Sequence, residues 1–259
     1  MAGSLSCGHR RAGASPRPRA GGDDGPGRSA NHAITRSSRH ALARATRLVG
    51  SGRAASVFSP SENIMSDLAG VLAAAAEVEA FCRNQGWRFC FIGGIAVQRW
   101  GMPRFTQDVD LTLLTGFGSE QTFVDPLLRQ FSARIRDARQ FALNHRVLLA
   151  RTAHGVDLDF ALGALPFEEG SVSRASSWPA SDAVSLTTCS AEDLIVHKVF
   201  ASRERDWADI ESILSRQHGA LDFAHVRKEL RPLLELKDDQ ESLARLDRLV
   251  STVDERLQQ

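Results

Sequence analysis

The sequence predicts an α+β fold: a mixed sheet with flanking helices, followed by an α-helical C-terminal lobe. Three observations predict it. Short apolar-alternating runs recur between residues 88 and 162. Helical patterning takes over almost completely from Ser190 onward. Residues 1–60, in contrast, show no sustained apolar period at all.

The elements follow in order. Ser66 caps a helix over 66–84, with Met65 at its opening and Gly86 as its stop. RFCFI (88–92) is a short strand. Gly93 and Gly94 follow, then a short helix, IAVQRW, ending at Gly101. QDVDLTLL (107–114) alternates like a strand, and 119–131 is helical. HRVLLARTA (145–153) and VDLDFAL (156–162) flank Gly155 and form a hairpin. A short helix covers 167–176, AVSLTT is extended, and helices occupy 191–203, 205–217, 221–236 and 238–257. The chain therefore divides into a disordered Arg/Gly/Ala/Ser-rich tail (1–64), an α/β domain (65–185) and a helical lobe (186–259). A cleft between two such lobes suits a ligand.

Composition removes several classes. The 259 residues are 42% hydrophobic and 24% charged, a globular balance. No apolar run approaches the roughly 18 residues of a membrane span. VLAAAAEVEAF (71–81) comes nearest and is interrupted by two glutamates. Cys7, Cys82, Cys90 and Cys189 lack CxxC spacing, which argues against a disulfide framework or a zinc site. A cytoplasmic protein with no membrane partner is the expectation. The formal net charge of +1 is an average of unlike parts: residues 1–60 carry +8 and the remainder −7. Three readings of the basic segment stay open: an inert tail or start-site artefact, a transit peptide, or a nucleic-acid-binding arm.

Chemistry concentrates where carboxylates repeat. On a strand, Asp108 and Asp110 point to the same face with Cα atoms roughly 6–7 Å apart, while Val109, Leu111 and Leu113 point to the other. Two ionised carboxylates that close repel each other, and a divalent cation such as Mg²⁺ relieves the repulsion while also binding phosphate oxygens. Asp157 and Asp159 repeat the arrangement on VDLDF. If that strand lies beside the first, one or both acids join the cluster, and a third carboxylate there can take a proton from an attacking hydroxyl. Gly93-Gly94, between strand and helix, allows close backbone approach to a phosphate at a helix N-terminus. A solvated acidic edge and an ordinary turn are the plainer readings of each feature alone; their combination favours a metal–phosphate site.

FIGGIAVQRWGMPRFTQDVDLTLL, with SAEDLIVHKVFASRERDWADIESIL (190–214), resembles the nucleotidyltransferase (polymerase-beta-like) superfamily, most closely its AbiEii/AbiGii-type toxin branch and uncharacterised relatives. The resemblance spans about residues 85–215. It implies that 65–185 is the nucleotidyltransferase catalytic domain, with Gly93 and Gly94 holding a triphosphate and Asp108 and Asp110 binding metal. Asp159 would be the third carboxylate, with Asp157 as its rival. Lys198 would contact the nucleotide phosphates, Asp206 and Asp209 would orient it or the nucleotide, and Arg104 and Thr106 belong to the nucleotide-binding set. The implied cofactor is Mg²⁺ (or Mn²⁺), and the implied substrate an NTP. Partners implied are an RNA 3′ end such as that of tRNA, or a protein, as acceptor, and a cognate antitoxin, which helices 221–257 would meet.

Lys198 stands out on its own terms, since only three of 32 basic residues are lysines. It borders the apolar stripe of its helix, as a phosphate ligand or a snorkelling side chain would. Asp206 and Asp209 share a face; if it meets Lys198, they fix the lysine's direction. Alternatively, Arg205 and Asp209 form a simple i,i+4 ion pair. His197 packs or faces solvent, Trp87, Trp100, Trp178 and Trp207 serve the core or lobe contacts, and Arg99 reaches phosphate or sits on the surface. Two other functions remain open at this point: a non-catalytic nucleotide- or partner-binding member of the same fold, and a metal-dependent phosphoesterase.

Overall fold

The computed structural model describes the backbone of residues 60–259 and side chains from Leu68 onward. The readings of the basic N-terminal segment lie outside the described residues. The elements are α1 (Pro60–Asn84), β1 (Phe89–Phe91), α2 (Gly93–Trp100), β2 (Asp108–Leu114), α3 (Gln121–Gln130), β3 (Ser132–Ala133), α4 (Ala138–His145), β4 (Val147–Arg151), β5 (Asp157–Gly163), α5 (Pro166–Arg174), β6 (Ser176–Pro179), β7 (Ser185–Thr188), α6 (Ala191–Ala201), α7 (Glu204–Arg216), α8 (Phe223–Lys237) and α9 (Glu241–Leu257).

Seven strands form one mixed sheet in the order β3-β4-β5-β2-β1-β7-β6. The hairpin expected around Gly155 is present, with β4 and β5 antiparallel and Leu149 opposite Asp159. β2 and β5 are parallel neighbours, and this pairing carries the site. Among the described residues, no helix is long and apolar enough to cross a membrane.

Strand alternation sorts the side chains into two layers. Val109, Leu111, Leu113, Leu148, Leu158 and Phe160 bury one face of the sheet against α1, α3 and α4. A second core forms among α2, α6, α7, α8 and α9, around Leu194, Ile195, Trp207, Ile210 and Leu230. Ser190 caps α6 by accepting the Asp193 N–H at 3.1 Å. After α6, Ser202 adopts φ 55°, and this left-handed turn folds α7 back along α6. Serine rarely takes that conformation; its hydroxyl is tied to Ser242 at 3.0 Å and receives Trp207 Nε1–H at 3.3 Å.

Several local expectations are corrected. The first helix begins at Pro60, so Ser66 and Met65 lie inside it and neither opens it; proline suits a first helical turn because its missing N–H is not needed there. The helix expected at 167–176 stops at Arg174, and residues 176–188 form an edge hairpin, β6–β7, of which only the AVSLTT half is legible. Pro179 is tolerated at that edge. The short helix α4 and the two-residue β3 have too few residues to leave a period.

Phe160 is fully buried and lies 6.0 Å, centroid to centroid, from Phe131. Phe160→Ala is expected to cost about 3–5 kcal/mol of stability in a chemical denaturation experiment, because the packed sheet core cannot collapse around the lost ring.

Candidate active site

Register builds the site. In the parallel β2–β5 pair, Asp108 stands beside Asp157, Asp110 beside Asp159 and Thr112 beside Ala161. Adjacent strands are about 4.8 Å apart, so the acids form a compact block on the sheet face opposite the Phe160 core. Between that face and the helices α5, α6 and α7 lies a cavity of about 500 Å³. Asp108, Asp110 and Asp159 line it together with Gly93, Gly94, Arg104, Lys198 and Asp206. Asp157, Thr106 and Asp209 are not in its lining.

The glycine pair is fitted to the acids by sterics. Gly93 has φ 56°, and a Cβ there would collide with the Asp110 carboxylate. A Cβ at Gly94 would collide with the Thr106 side chain. Only hydrogen fits at either position. The Gly94 N–H, at the uncapped start of α2, donates to the Asp110 carboxylate. Thr106 Oγ1 in turn donates to Asp108 Oδ1 at 3.1 Å. Thr106 thus holds an acid in place and is one step removed from the cavity.

On the helical side, Lys198 is 7% exposed and its Nζ donates to Asp206 Oδ1 at 3.0 Å and Asp209 Oδ2 at 2.7 Å. The face of α7 expected to meet Lys198 does so. The alternative Arg205–Asp209 ion pair is not among the described salt bridges: Arg205 Nη2 donates to the Phe105 carbonyl, and Asp209 is gripped by Arg104, whose Nη2 lies 2.7 Å from Oδ2. Burial pushes the Asp209 carboxyl up, but the Arg104 hydrogen bonds and the Lys198 charge outweigh it, and the net displacement is downward. Arg104 therefore joins the loop before β2 to α7. Its guanidinium is committed to Asp209 while also lining the cavity.

Arg134 was not legible as a site residue. Its Nη1 lies 2.9 Å from Asp159 Oδ1 and 3.1 Å from Asp157 Oδ2. Asp157 is further drawn outward by Arg151 Nε at 2.5 Å. Nothing in the local sequence around Arg134 marks it; only the β3–β4 and β4–β5 pairings bring the two acids and this arginine together.

The acids are electrostatically uncomfortable. Burial, then repulsion from Asp108 and Asp159, raises the Asp110 carboxyl from its ordinary 3.8 to about 7. Burial also raises Asp159 to about 6, with Arg134 opposing and Asp108 and Asp157 adding to the rise. Uncompensated negative charge of this kind is what a divalent cation relieves, so the donor set fits one. No group of three or more His, Cys, Asp or Glu among the described residues is arranged to hold a metal unaided.

Both raised carboxyls hold a proton in the folded protein where the unfolded chain has released it: from about 4 to 7 for Asp110 and about 4 to 6 for Asp159. Metal-free stability therefore falls as pH rises through this window and levels off above it. Asp110→Asn removes the larger part of that loss. Scanning calorimetry in chelator is expected to show its melting temperature above wild type at pH 8 and level with it at pH 4; a gap that is largest in acid contradicts the assignment.

Comparison with known proteins gives the family. The model of the family described as "Nucleotidyl transferase AbiEii toxin, Type IV TA system" matches residues 81–258. Among solved structures, an antigenic nucleotidyltransferase-like protein from Paracoccidioides brasiliensis aligns at 14% identity and TM-score 0.44, over 66% of this chain and 90% of its own. The antibiotic-resistance factor ANT(2'')-Ia aligns at 15% identity and TM-score 0.38, over 74% and 94%. The Megavirus polyadenylate synthase aligns at 9% identity and TM-score 0.36, over 80% of this chain and 40% of its own. No curated protein sequence matches. With the family model covering most of the chain, from the helix before β1 to the end of α9, the protein belongs to the AbiEii family of nucleotidyltransferases.

Proposed function

We propose that the protein transfers a nucleoside monophosphate from an NTP to a hydroxyl of a macromolecular acceptor, an RNA 3′ end such as that of tRNA or a protein side chain, with Mg²⁺ (or Mn²⁺), as the toxin of a toxin–antitoxin pair in the cytoplasm. One observation carries the reading: Asp108, Asp110, Asp159 and Lys198, far apart in sequence, line one cavity with the Gly93-Gly94 turn in its wall.

Each group has a role that its surroundings support. Gly93-Gly94 and the start of α2 receive the triphosphate, since no Cβ stands between the backbone and a ligand. Lys198 meets the phosphates as a point charge, aimed by Asp206 and Asp209. Arg104 lines the same cavity and adds a second cation there. Asp108 and Asp110 hold the divalent ion, with Thr106 steadying Asp108. When bound, that ion supplies charge neutralisation on the phosphates and positioning of the reacting oxygens. Asp159, raised to about 6, is poised near neutrality as a general base and takes the acceptor hydroxyl's proton. The acceptor oxygen forms its bond to the α-phosphorus, the bond from that phosphorus to the bridging oxygen breaks, and pyrophosphate leaves. Asp157 fits this role less well, being bound by Arg151 and Arg134 outside the cavity.

The acceptor classes follow from the branch of the family and not from charge. Residues 61–259 carry −7 overall, so an RNA acceptor would be gripped through local basic patches over a short footprint. The helices α8 and α9 are the surface proposed for an antitoxin.

Incubating the protein with each labelled NTP, Mg²⁺ and a mixture of cellular RNA and protein is expected to label a macromolecule. Asp108→Ala is expected to reduce that labelling at least about a hundredfold with its melting temperature close to wild type; full activity in this variant overturns the reading.

A further inference from the structure

The acidic block fills only one end of the cavity. Following the register one step along the same sheet face, the row Asp110–Asp159–Leu149 gives way to Thr112–Ala161–Val147. Thr112, Ala161 and Val147 all line the cavity. The floor thus passes from charged to small and apolar over two strand residues, about 7 Å, a distance a sugar ring spans between a phosphate and its base. Lys198 faces the acidic end, and its neighbour His197 lines the same cavity.

Besides Asp159 and Arg203, two residues of the cavity lining hold a buried polar atom with no protein partner among the described residues. Thr112 Oγ1 and His197 Nε2 are both buried and make no hydrogen bond. Thr112 is completely buried on the floor. The His197 ring is set edge-on to Phe167, with centroids 4.9 Å apart, so its direction is fixed by packing. Leaving a buried hydroxyl and a ring nitrogen unpaired costs about 1–3 kcal/mol each. A purely structural floor would place valine and phenylalanine there. Flat apolar floor, polar edge groups and a seven-ångström offset from the phosphate end together describe a place for a heterocycle.

We propose that this inner end is the nucleobase subsite, with Ala161 and Val147 under the ring and Thr112 and His197 as its base-selecting hydrogen-bond partners. The proposal rests on the triphosphate reading of the outer end and commits to the base of the incoming NTP. Burial lowers the His197 imidazole to about 4, so it is neutral at physiological pH and presents one ring nitrogen as donor or acceptor. Thr112 offers a hydroxyl that does both. A base whose edge complements the pair is favoured; one that leaves either atom unpaired is rejected.

The test is calorimetric binding, with Mg²⁺, of the four NTPs and of inorganic tripolyphosphate to wild type and variants. Wild type is expected to prefer one base over the least favoured by about tenfold or more. Thr112→Val and His197→Phe are expected to compress that preference to about threefold or less while leaving tripolyphosphate affinity unchanged. Ala161→Leu, which fills the floor, is expected to weaken all four NTPs without touching tripolyphosphate. Lys198→Ala weakens NTPs and tripolyphosphate together and reports on the outer end alone. An acceptor-base subsite predicts instead that Thr112→Val leaves NTP affinities as they were and raises the acceptor KM, and that result overturns the proposal. An unchanged base preference in both Thr112→Val and His197→Phe, or equal binding of all NTPs by wild type, overturns it while the transferase reading stands. Failure of wild type to bind any NTP or tripolyphosphate overturns both.

Discussion

Four carboxylates held on one face of two parallel strands cannot all ionise comfortably, and much else in the molecule answers to that repulsion. The β2–β5 register makes it unavoidable, because Asp110 and Asp159 are direct neighbours and Asp108 is two residues away on the same face. The opposite face is committed to Val109, Leu158 and Phe160, so a slip of one residue would bury the acids in the core. The glycine pair, Thr106 and Arg134 are each pressed against this block, one by close approach, one by a hydrogen bond and one by charge. A stability penalty at a functional site is common where the relieving partner is a ligand.

Cations stand across the cavity from these acids, but their ion pairs are with α7. Lys198 is paired to Asp206 and Asp209, and Arg104 is shared with Asp209. The result is two separate electrostatic layers facing each other across a cavity: an acidic floor short of positive charge and an aimed, internally balanced basic wall. A triphosphate with its metal presents the complement of both. The Ser202 turn folds α7 back so that its acids reach the lysine of α6.

Much of this was legible in the sequence, for physical reasons that differ by residue. Alternation around Asp108, Asp110 and Asp159 announces both strand and face, because period two leaves a single arrangement once Val109 and Phe160 are inside. The α+β class and the long helices of the C-terminal half follow from patterning of the same kind. The pairing of Asp206 and Asp209 with Lys198 was legible only as a condition, since helix spacing gives a shared face but not what it meets. Arg134 and the row of Thr112, Ala161 and Val147 were not legible. They depend on which strands are neighbours and in what register, and the interval between residues 114 and 147 says nothing about either. The start of α1 and the β6–β7 hairpin were misread where cap residues and short edge strands carry too little pattern to outweigh local propensity.

The central claim, that the carboxylate block is held in reserve for a cation, is tested most directly by titrating Mg²⁺ or Mn²⁺ into nucleotide-free protein and following proton release by calorimetry in buffers of different ionisation enthalpy. If Asp110 is raised to about 7 by burial and by its neighbours, ion binding at pH 6 must expel its proton, and the release must fade by pH 8.5 and fall in Asp110→Asn to the share that Asp159 supplies. Binding with no proton release at pH 6, or release that persists unchanged in the variant, would contradict it.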